Sequence, residues 1–512
     1  MNKLYQKTLT GISLCLAGAG FVQAQNQDKA PNILFIMSDD HTSQAVSAYG
    51  GILGKYMPTP NIDRIANEGV RMSNCFVINS ISSPSRASIL TGQYSHKNNV
   101  YSIDEGLDRA HPTVAKELQK AGYQTAIVGK WHLENEPAGF DYYNVLPGQG
   151  IYYNPLLIRQ GNWDKGVDGQ PRTTEYSGHS TDVITNEAIN YLQSADRDRP
   201  FFLMCHFKAP HRSWEPAHRF KELLHDVTIP EPDNLLDTYE SKGKYTQLLR
   251  MSMEHMHPFD FKGDAIPKEL TRDEKRHWAY QRYIKDYLRC VAGIDENVGR
   301  ILKYLDDNGL AENTIVIYTS DQGFFLGEHG WFDKRLMYEE SLRMPMLIRY
   351  PKEIKPKTVN NDMVLNLDFA PLFLDYAGIA IPEYMQGESF RNNLKGQTSD
   401  GWRKSMYYRY WMNNDSHHHV PAHYGIRTER YKLIFYYAQA LGIKGANETT
   451  LTPEWELYDL QNDPAEMFNI YHDPANKKVI SQLKKELLQL KEKYEDQDSK
   501  YPVMQEIYKK YW

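Results

Sequence analysis

The stretch Ser82-Ser83-Pro84-Ser85-Arg86-Ala87-Ser88-Ile89-Leu90-Thr91-Gly92 gathers the residues best suited to chemistry. Pro84 stands at a helix-entry position, where a missing N–H costs little, and the serines before it are suited to cap the free amides of a first turn. Helix N-termini collect unpaired N–H groups and the positive end of the dipole, and Arg86 adds a fixed cation one turn in. The expectation is a site for an oxyanion. Taken alone, the same string also describes a capped surface helix.

Two further stretches offer acids. Asp39-Asp40-His41 closes the apolar run Asn32 to Ser38, and Asp321-Gln322-Gly323 closes Thr314 to Ser320. Unbroken apolar runs of that length belong to strands buried on both faces. Adjacent carboxylates at the end of a buried strand repel one another unless a cation sits between them. Asp39, Asp40, Asp321 and Gln322 offer oxygen donors alone, which select calcium or magnesium over zinc. Opposed to them are basic residues: Arg86; Lys130 and His132 after the strand Thr125 to Val128; His211 after Phe201 to Cys205; and Lys334 in Gly330-Trp331-Phe332-Asp333-Lys334-Arg335. In an extended chain Lys130 and His132, on alternate residues, project the same way. Fixed cations beside a metal suit a tetrahedral dianion such as sulfate, both for binding and for neutralising charge as it reacts.

These residues need a frame that brings them together. Thr59 to Gly69 reads as a short helix with an N-cap, a first-turn proline and a closing glycine, leading to a strand from Val70 to Val77 that delivers Ser82. Helices are expected over Thr113 to Ala121, Thr181 to Ser194 and Met363 to Gly378. Asp273 to Asp306 forms one helix or two, with Gly293 the weak point. Val227 to Thr271, without periodicity, reads as a long surface excursion. Strands alternating with helices, with polar clusters at the strand ends, describe an α/β fold: a large doubly wound mixed sheet with its site along one edge. Near residue 395 the pattern turns antiparallel: Ser405 to Tyr410, His423 to Arg427, Tyr431 to Tyr437 and Glu456 to Leu460 are strand candidates, crossed by an amphipathic helix from Lys478 to Tyr494. The expected division is 1–24 a signal peptide, 25–395 the catalytic domain and 396–512 a smaller C-terminal α+β subdomain.

Lys3 and Lys7 precede an apolar run from Leu9 to Val22 that ends in Val22-Gln23-Ala24, the pattern of a cleavable secretory signal and too short to span a bilayer. No later stretch has the length to cross a membrane, so the mature chain is expected in the periplasm or secreted, and an exported location favours calcium as the metal. The net charge of -6 argues against a nucleic-acid partner. Cys75, Cys205 and Cys290 remain after signal removal, too few for a disulfide framework. The 36 tyrosines and 9 tryptophans fit a sugar-stacking surface or a large core equally well.

Ser82-x-Pro84-Ser85-Arg86-x-x-x-Leu90-Thr91-Gly92 resembles the signature of the type I, formylglycine-dependent sulfatases, fixing seven positions in eleven. The family's first position, Cys or Ser, falls on Ser82 and not on Ser83 or Ser85. The resemblance implies that an oxidising maturase, of the anaerobic, radical type for a serine, converts Ser82 to formylglycine (3-oxoalanine). It implies that Asp39, Asp40, Asp321 and Gln322 bind Ca2+, that Lys130 and Lys334 hold the sulfate, that Arg86 and His132 position the aldehyde hydrate, and that His211 contacts the leaving oxygen. Gln322 departs from the more frequent Asn and remains a neutral oxygen donor. In the implied mechanism the hydrate attacks sulfur, His211 helped by Lys334 protonates the departing sugar oxygen, and His132 acts as base while sulfate is expelled. A plain serine would stall as its sulfate ester. His329, near these residues in sequence, is read as structural.

Glu456-Leu457-Tyr458-Asp459-Leu460, Asp463-Pro464, Glu466 and Asn469 are similar to a phrase of the sulfatase C-terminal subdomain. The His417 to Arg427 loop, Tyr431 to Ile434, Lys208 to Arg212 and Asp321 to Gly327 are similar to the branch holding N-acetylglucosamine-6-sulfatases and mucin-desulfating sulfatases. That branch implies a 6-O-sulfated N-acetylglucosamine at a glycan terminus, with His419, His423 and Arg335 as sugar-binding candidates. The alternatives are a sulfatase for sulfated galactose or N-acetylgalactosamine, a two-zinc phosphodiesterase, and an inactive sugar-binding protein should Ser82 stay unmodified.

Overall fold

Thirteen strands precede the C-terminal sheet in a computed structural model that describes residues 29–449 and 451–512; the expected signal peptide lies outside the described residues. In chain order they are β1 (Asn32–Ser38), β2 (Val70–Phe76), β3 (Gln124–Lys130), β4 (Tyr142–Leu146), β5 (Leu156–Arg159), β6 (Thr173–Glu175), β7 (Phe201–His206) and β8 (Thr314–Ser320). A small hairpin, β9 (Phe325–Leu326) and β10 (Phe332–Asp333), is followed by β11 (Arg343–Met344), β12 (Met346–Arg349) and β13 (Thr358–Leu365). The large sheet runs β11-β2-β12-β8-β1-β7-β3-β4-β5-β6, with β13 against β2. Its centre, β8-β1-β7-β3, is parallel throughout. Because β12 is antiparallel to both β8 and β2, β2 runs the same way as β8. These five strands therefore release the chain at one edge, where the chemistry-bearing stretches begin apart from Lys334-Arg335, which follow β10.

The apolar runs explain why the centre is covered on both sides. Along β1, Ile33, Phe35 and Met37 enter one core, where Phe35 meets Phe369 and Phe373 of the helix Phe369–Tyr376. Leu34 and Ile36 enter the other, with the helices Pro60–Asn67, Ser180–Ser194 and Arg272–Asp307. Burying each such side chain is worth about 1.5–3 kcal/mol, so a strand of this composition is stable only between two layers.

Several elements differ from expectation. Arg272–Asp307 is one helix, closed by a Thr271/Glu274 capping box and unbroken at Gly293, where an added Cβ would meet nothing nearer than the Phe220 ring at 3.7 Å. Thr59 does not cap Pro60–Asn67 with its side chain; the Asn61 and Ile62 amides donate to Asp295 on the long helix, at 2.9 Å each. Met363 to Leu365 ends β13 in register with β2, and the helix begins only at Phe369. The 227–271 excursion winds through short 3-10 turns and buries Ile229, Leu235, Tyr245, Met251 and Phe261, so it is not a purely surface loop.

The C-terminal sheet is antiparallel, β14 (Ser405–Tyr410), β15 (His423–Thr428), β16 (Tyr431–Tyr436) and β17 (Glu454–Asp459), crossed by the helix Lys477–Lys493. A last helix, Pro502–Tyr511, was not anticipated. Cys75, Cys205 and Cys290 are free and buried. No helix among the described residues is long and apolar enough to cross a membrane.

Candidate active site

After β2 the chain enters the helix Ser82–Thr91, every residue of which is buried, and this removes the reading of a capped surface helix. The residue at the N-cap is Ile81, extended at φ -155° and ψ 143°, and no side chain caps the first turn. The expected serine caps fail because Ser82 is itself the first helical residue, while the Ser83 hydroxyl donates to the His132 carbonyl at 2.8 Å. The Ser82 hydroxyl donates to Asp39 Oδ1 at 3.4 Å, and Gln322 Nε2 lies 3.5 Å from the Ser82 oxygen.

The ends of β1 and β8, adjacent and parallel, put Asp39 and Asp40 beside Asp321 and Gln322. The Asp40 amide donates to Asp321 Oδ1 at 3.1 Å, and Gln322 Nε2 donates to Asp40 Oδ1 at 2.5 Å. Gln322 Oε1 is buried without a hydrogen-bond partner. From the end of β7, His211 brings Nε2 to 3.8 Å from Asp40 Oδ2, and Asp39, Asp40 and His211 present ligand atoms within 4.8 Å of one another. Two buried carboxylates with an orphaned amide oxygen form a donor set suited to a hard divalent cation. Of the four expected ligands Asp321 is the least available, since its Oδ2 accepts from Arg86 Nε and Nη2 at 3.1 and 2.9 Å. His211, expected at the leaving oxygen, lines the cleft and also stands beside the acids.

The cations close around this group. Lys130 ion-pairs with Asp39, and Lys334 Nζ lies 2.7 Å from Asp40 Oδ1. Arg86 Nη1 donates to the Lys130 carbonyl at 2.9 Å and so ties the Ser82 helix to the ends of both β3 and β8. His132 reaches the same site by another route than expected: β3 stops at Lys130, and His132 sits in the left-handed region at φ 54°, so strand alternation does not apply to it. Asp40, Asp333 and Arg335 are also left-handed, at φ 65°, 78° and 92°. Backbone of this kind in residues other than glycine, costing on the order of 1–3 kcal/mol each, concentrates at functional sites.

The charges are unevenly compensated. Burial favours the neutral form of Asp39, but Lys130, His211, Arg86 and Lys334 outweigh it and hold the carboxyl well below its usual range. Asp40 is pushed up to about 7 by burial, with Asp39 and Asp321 adding repulsion that Lys334 only partly offsets. Burial and the neighbouring Lys130 keep His132 and His211 well below the usual imidazole range, so both rings are neutral at pH 7.

Above the acids opens a cleft of about 280 Å³ lined by Ser82, Gln149, His211, Asp333, Lys334 and Arg335, and by Asp415 to His418 from the C-terminal subdomain. Arg335 lines this cleft. His423 does not: fully buried, it packs among the rings of Tyr408, Tyr410 and Tyr436, and its Nδ1 donates to the Pro421 carbonyl at 2.7 Å. His419, at φ 55°, turns to Asn414 at 3.0 Å and does not line the cleft. His418 does, with Nε2 3.3 Å from Asp333 and Nδ1 2.8 Å from Asp415. Gln149, on a loop between two glycines, accepts from Lys130 Nζ at 2.7 Å and was missed because nothing in Pro147-Gly148-Gln149-Gly150 marks more than a turn. No tyrosine lines the cleft among the described residues; tyrosines such as Tyr94, Tyr123, Tyr152 and Tyr283 are fully buried, which assigns much of the tyrosine content to the core. His329 is structural as expected, buried against Asp237 at 2.8 Å.

Residues 31–379 match the family model described as Sulfatase, and residues 327–493 that of the N-sulphoglucosamine sulphohydrolase C-terminal region. The chain belongs to the sulfatase family. This sulfatase is similar to N-acetylglucosamine-6-O-sulfatase of Bacteroides thetaiotaomicron, 42% identical over 539 residues that span 95% of this chain and 90% of the relative. It is 27% identical to the goat (Capra hircus) N-acetylglucosamine-6-sulfatase over 77% of this chain and 68% of that one. A solved structure of a protein in complex with its substrate, D-glucosamine-2-N,6-O-disulfate, is 41% identical with a TM-score of 0.85, covering 93% of this chain and 100% of the other. The sulfatase is accordingly a sulfuric ester hydrolase, with the mixed α/β fold and antiparallel C-terminal sheet of its relatives.

Proposed function

We propose that this sulfatase is an exported, exo-acting carbohydrate 6-O-sulfatase that removes sulfate from a terminal N-acetylglucosamine of mucin-type or heparan/keratan-type glycans. The observation that carries the reading is the small cleft ending on Ser82, His211 and Lys334, the side chains that contact the buried Asp39 and Asp40. At about 280 Å³ it lies below the usual size of ligand pockets and suits the end of a glycan rather than a chain passing through. The likeness to N-acetylglucosamine-6-O-sulfatase over nearly the whole chain supports the sugar.

Formylglycine made from Ser82 by a maturase would supply, as its hydrate, the nucleophile that a serine hydroxyl cannot provide for repeated turnover. Ca2+ held by Asp39, Asp40, Gln322 and Asp321 would supply a Lewis acid beside that nucleophile. The chain's own groups do the rest. Lys130 and Lys334, buried and fixed by Asp39 and Asp40, hold the sulfate oxygens, and each such preorganised charge is typically worth about 10²–10³ in rate. Arg86 holds the Ser82 helix against the acids. His132, with its imidazole pKa held low and Nδ1 unpartnered, would accept a proton on the Ser82 side, and His211 and Lys334, which line the cleft, would meet the departing sugar oxygen. A two-metal phosphodiesterase would need a second ligand cluster. Among the described residues only Asp39, Asp40 and His211 form such a group.

Sulfate release from 6-O-sulfated N-acetylglucosamine, galactose and N-acetylgalactosamine, followed by ion chromatography, tests the reading. The expected result is at least a tenfold preference in kcat/KM for N-acetylglucosamine. Faster turnover of either galacto-configured sugar overturns it.

A further inference from the structure

The helix Lys477–Lys493 lies across the C-terminal sheet with Leu483 and Leu487 buried, and its lysines fall into two groups. Lys491 and Lys493 are paired, with Asp498 and Glu388, each at 3.1 Å. Lys477, Lys478 and Lys485 have no acidic partner among the described residues. Positions 477, 481, 484, 485 and 488 recur at helical spacing and form one wall of an open groove of about 570 Å³, with Tyr471 and Trp512 at the other. No acidic residue lines it.

Lys484 stands at the centre of the groove. Its Nζ lies 4.1 Å from the centre of the Trp455 ring, 5.4 Å from that of Tyr471 and 5.6 Å from that of Trp512, and donates to the Tyr471 hydroxyl at 3.0 Å and to the Trp512 backbone oxygen at 3.1 Å. Burial without a carboxylate draws this ammonium down to about 8. The chain as a whole carries a net charge of -6, so a groove in which Lys477 and Lys485 stand unpaired beside Lys484, with no acidic side chain in its lining, is a local excess of positive charge. Aromatic rings beside the cations offer flat apolar faces, which suit the C–H face of a sugar ring.

We propose that this groove is a second carbohydrate site, apart from the reaction cleft, that takes a sulfated glycan chain with its sulfate esters on Lys477, Lys484 and Lys485 and its sugar faces on Tyr471 and Trp512. None of its residues lines the reaction cleft. Its role would be to hold a polymer whose sulfated ends the cleft then processes, so it builds on the carbohydrate reading above. Charge complementarity selects a polyanion, and the aromatic wall selects a sugar polyanion over a bare one.

The test measures binding of the full chain to dextran sulfate, to unsulfated dextran and to inorganic polyphosphate at low salt, where such contacts are least screened. Lys477 and Lys485 are exposed and make no side-chain hydrogen bond or ion pair among the described residues, so the pair Lys477→Glu and Lys485→Glu leaves folding intact. The expected result is binding of dextran sulfate but not dextran, at least tenfold weaker in the double variant, with kcat/KM on a sulfated monosaccharide within twofold of native. Tyr471→Ala weakens binding of dextran sulfate more than binding of polyphosphate. Equal binding by native and double variant overturns the site. Polyphosphate binding that matches dextran sulfate in strength, and is unaffected by Tyr471→Ala, overturns its carbohydrate character. The readout is binding, without hydrolysis, so its failure is distinct from a failure of the proposed substrate.

Discussion

Replacing Arg86 by lysine tests whether the site depends on a guanidinium fork or only on a positive charge. Arg86 Nε and Nη2 both donate to Asp321 Oδ2, at 3.1 and 2.9 Å, and Nη1 donates to the Lys130 carbonyl at 2.9 Å. A lysine ammonium keeps the charge but reaches one or two of these acceptors from its single nitrogen. Losing one or two charge-assisted hydrogen bonds at roughly 1.5–3 kcal/mol each gives a local loss of about 2–5 kcal/mol. Asp321, whose carboxyl burial already pushes upward, becomes less compensated. The Ser82 helix loses its tie to β3 and β8, and a displacement of about 1 Å at a reacting group typically costs about 10²-fold in rate. The expected outcome for Arg86→Lys is a roughly hundredfold fall in kcat, read as sulfate release at saturating substrate, with a thermal midpoint lower by a few degrees. A variant within threefold of native kcat and within a degree of its midpoint would refute the clamp.

Asp40→Asn removes a carboxylate from the acidic group and leaves Lys334 buried without its partner; the bound divalent ion, counted by elemental mass spectrometry, falls from about one per chain to under a tenth, and a native metal content in the variant contradicts the ligand set. In the cleft, His418→Ala raises KM about tenfold while His419→Ala stays within twofold; the reverse order shows that the loop is read wrongly. Burial draws His41, His329 and His423 down from 6.5 to about 4, so the unfolded chain binds their protons first: their contribution is intact above pH 6.5 and is lost as pH falls through 4, by up to about 3 kcal/mol each. His423→Phe therefore moves the acid-unfolding midpoint, followed by tryptophan fluorescence, to lower pH, and an unchanged midpoint rejects the neutral, buried assignment.

What was legible in the sequence is the part written in unbroken apolar runs. β1 and β8 match their expected limits because each apolar run stops at acids, Asp39-Asp40 and Asp321, that do not continue the strand. Asp39, Asp40, Asp321 and Gln322 drew notice in the same way, since each pair sits where such a run stops. Met363 to Leu365 was misread as helix because an apolar tripeptide beside an apolar helix has no period of its own, and only pairing with β2 decides it. The Asp295 cap was invisible because its partners lie 233 and 234 residues away. In the cleft, three consecutive histidines identified the loop but not the rings that line the cleft, His417 and His418, with His419 turned away at φ 55°. His423 carries the same side chain into the core because it begins β15.

The most direct measurement is the mass of the peptide containing Ser82, from protein made in its native host. The account predicts the loss of two hydrogens at Ser82, the signature of formylglycine, together with sulfate release from 6-O-sulfated N-acetylglucosamine by the same preparation. Unmodified serine in protein that still turns over would contradict the proposed nucleophile.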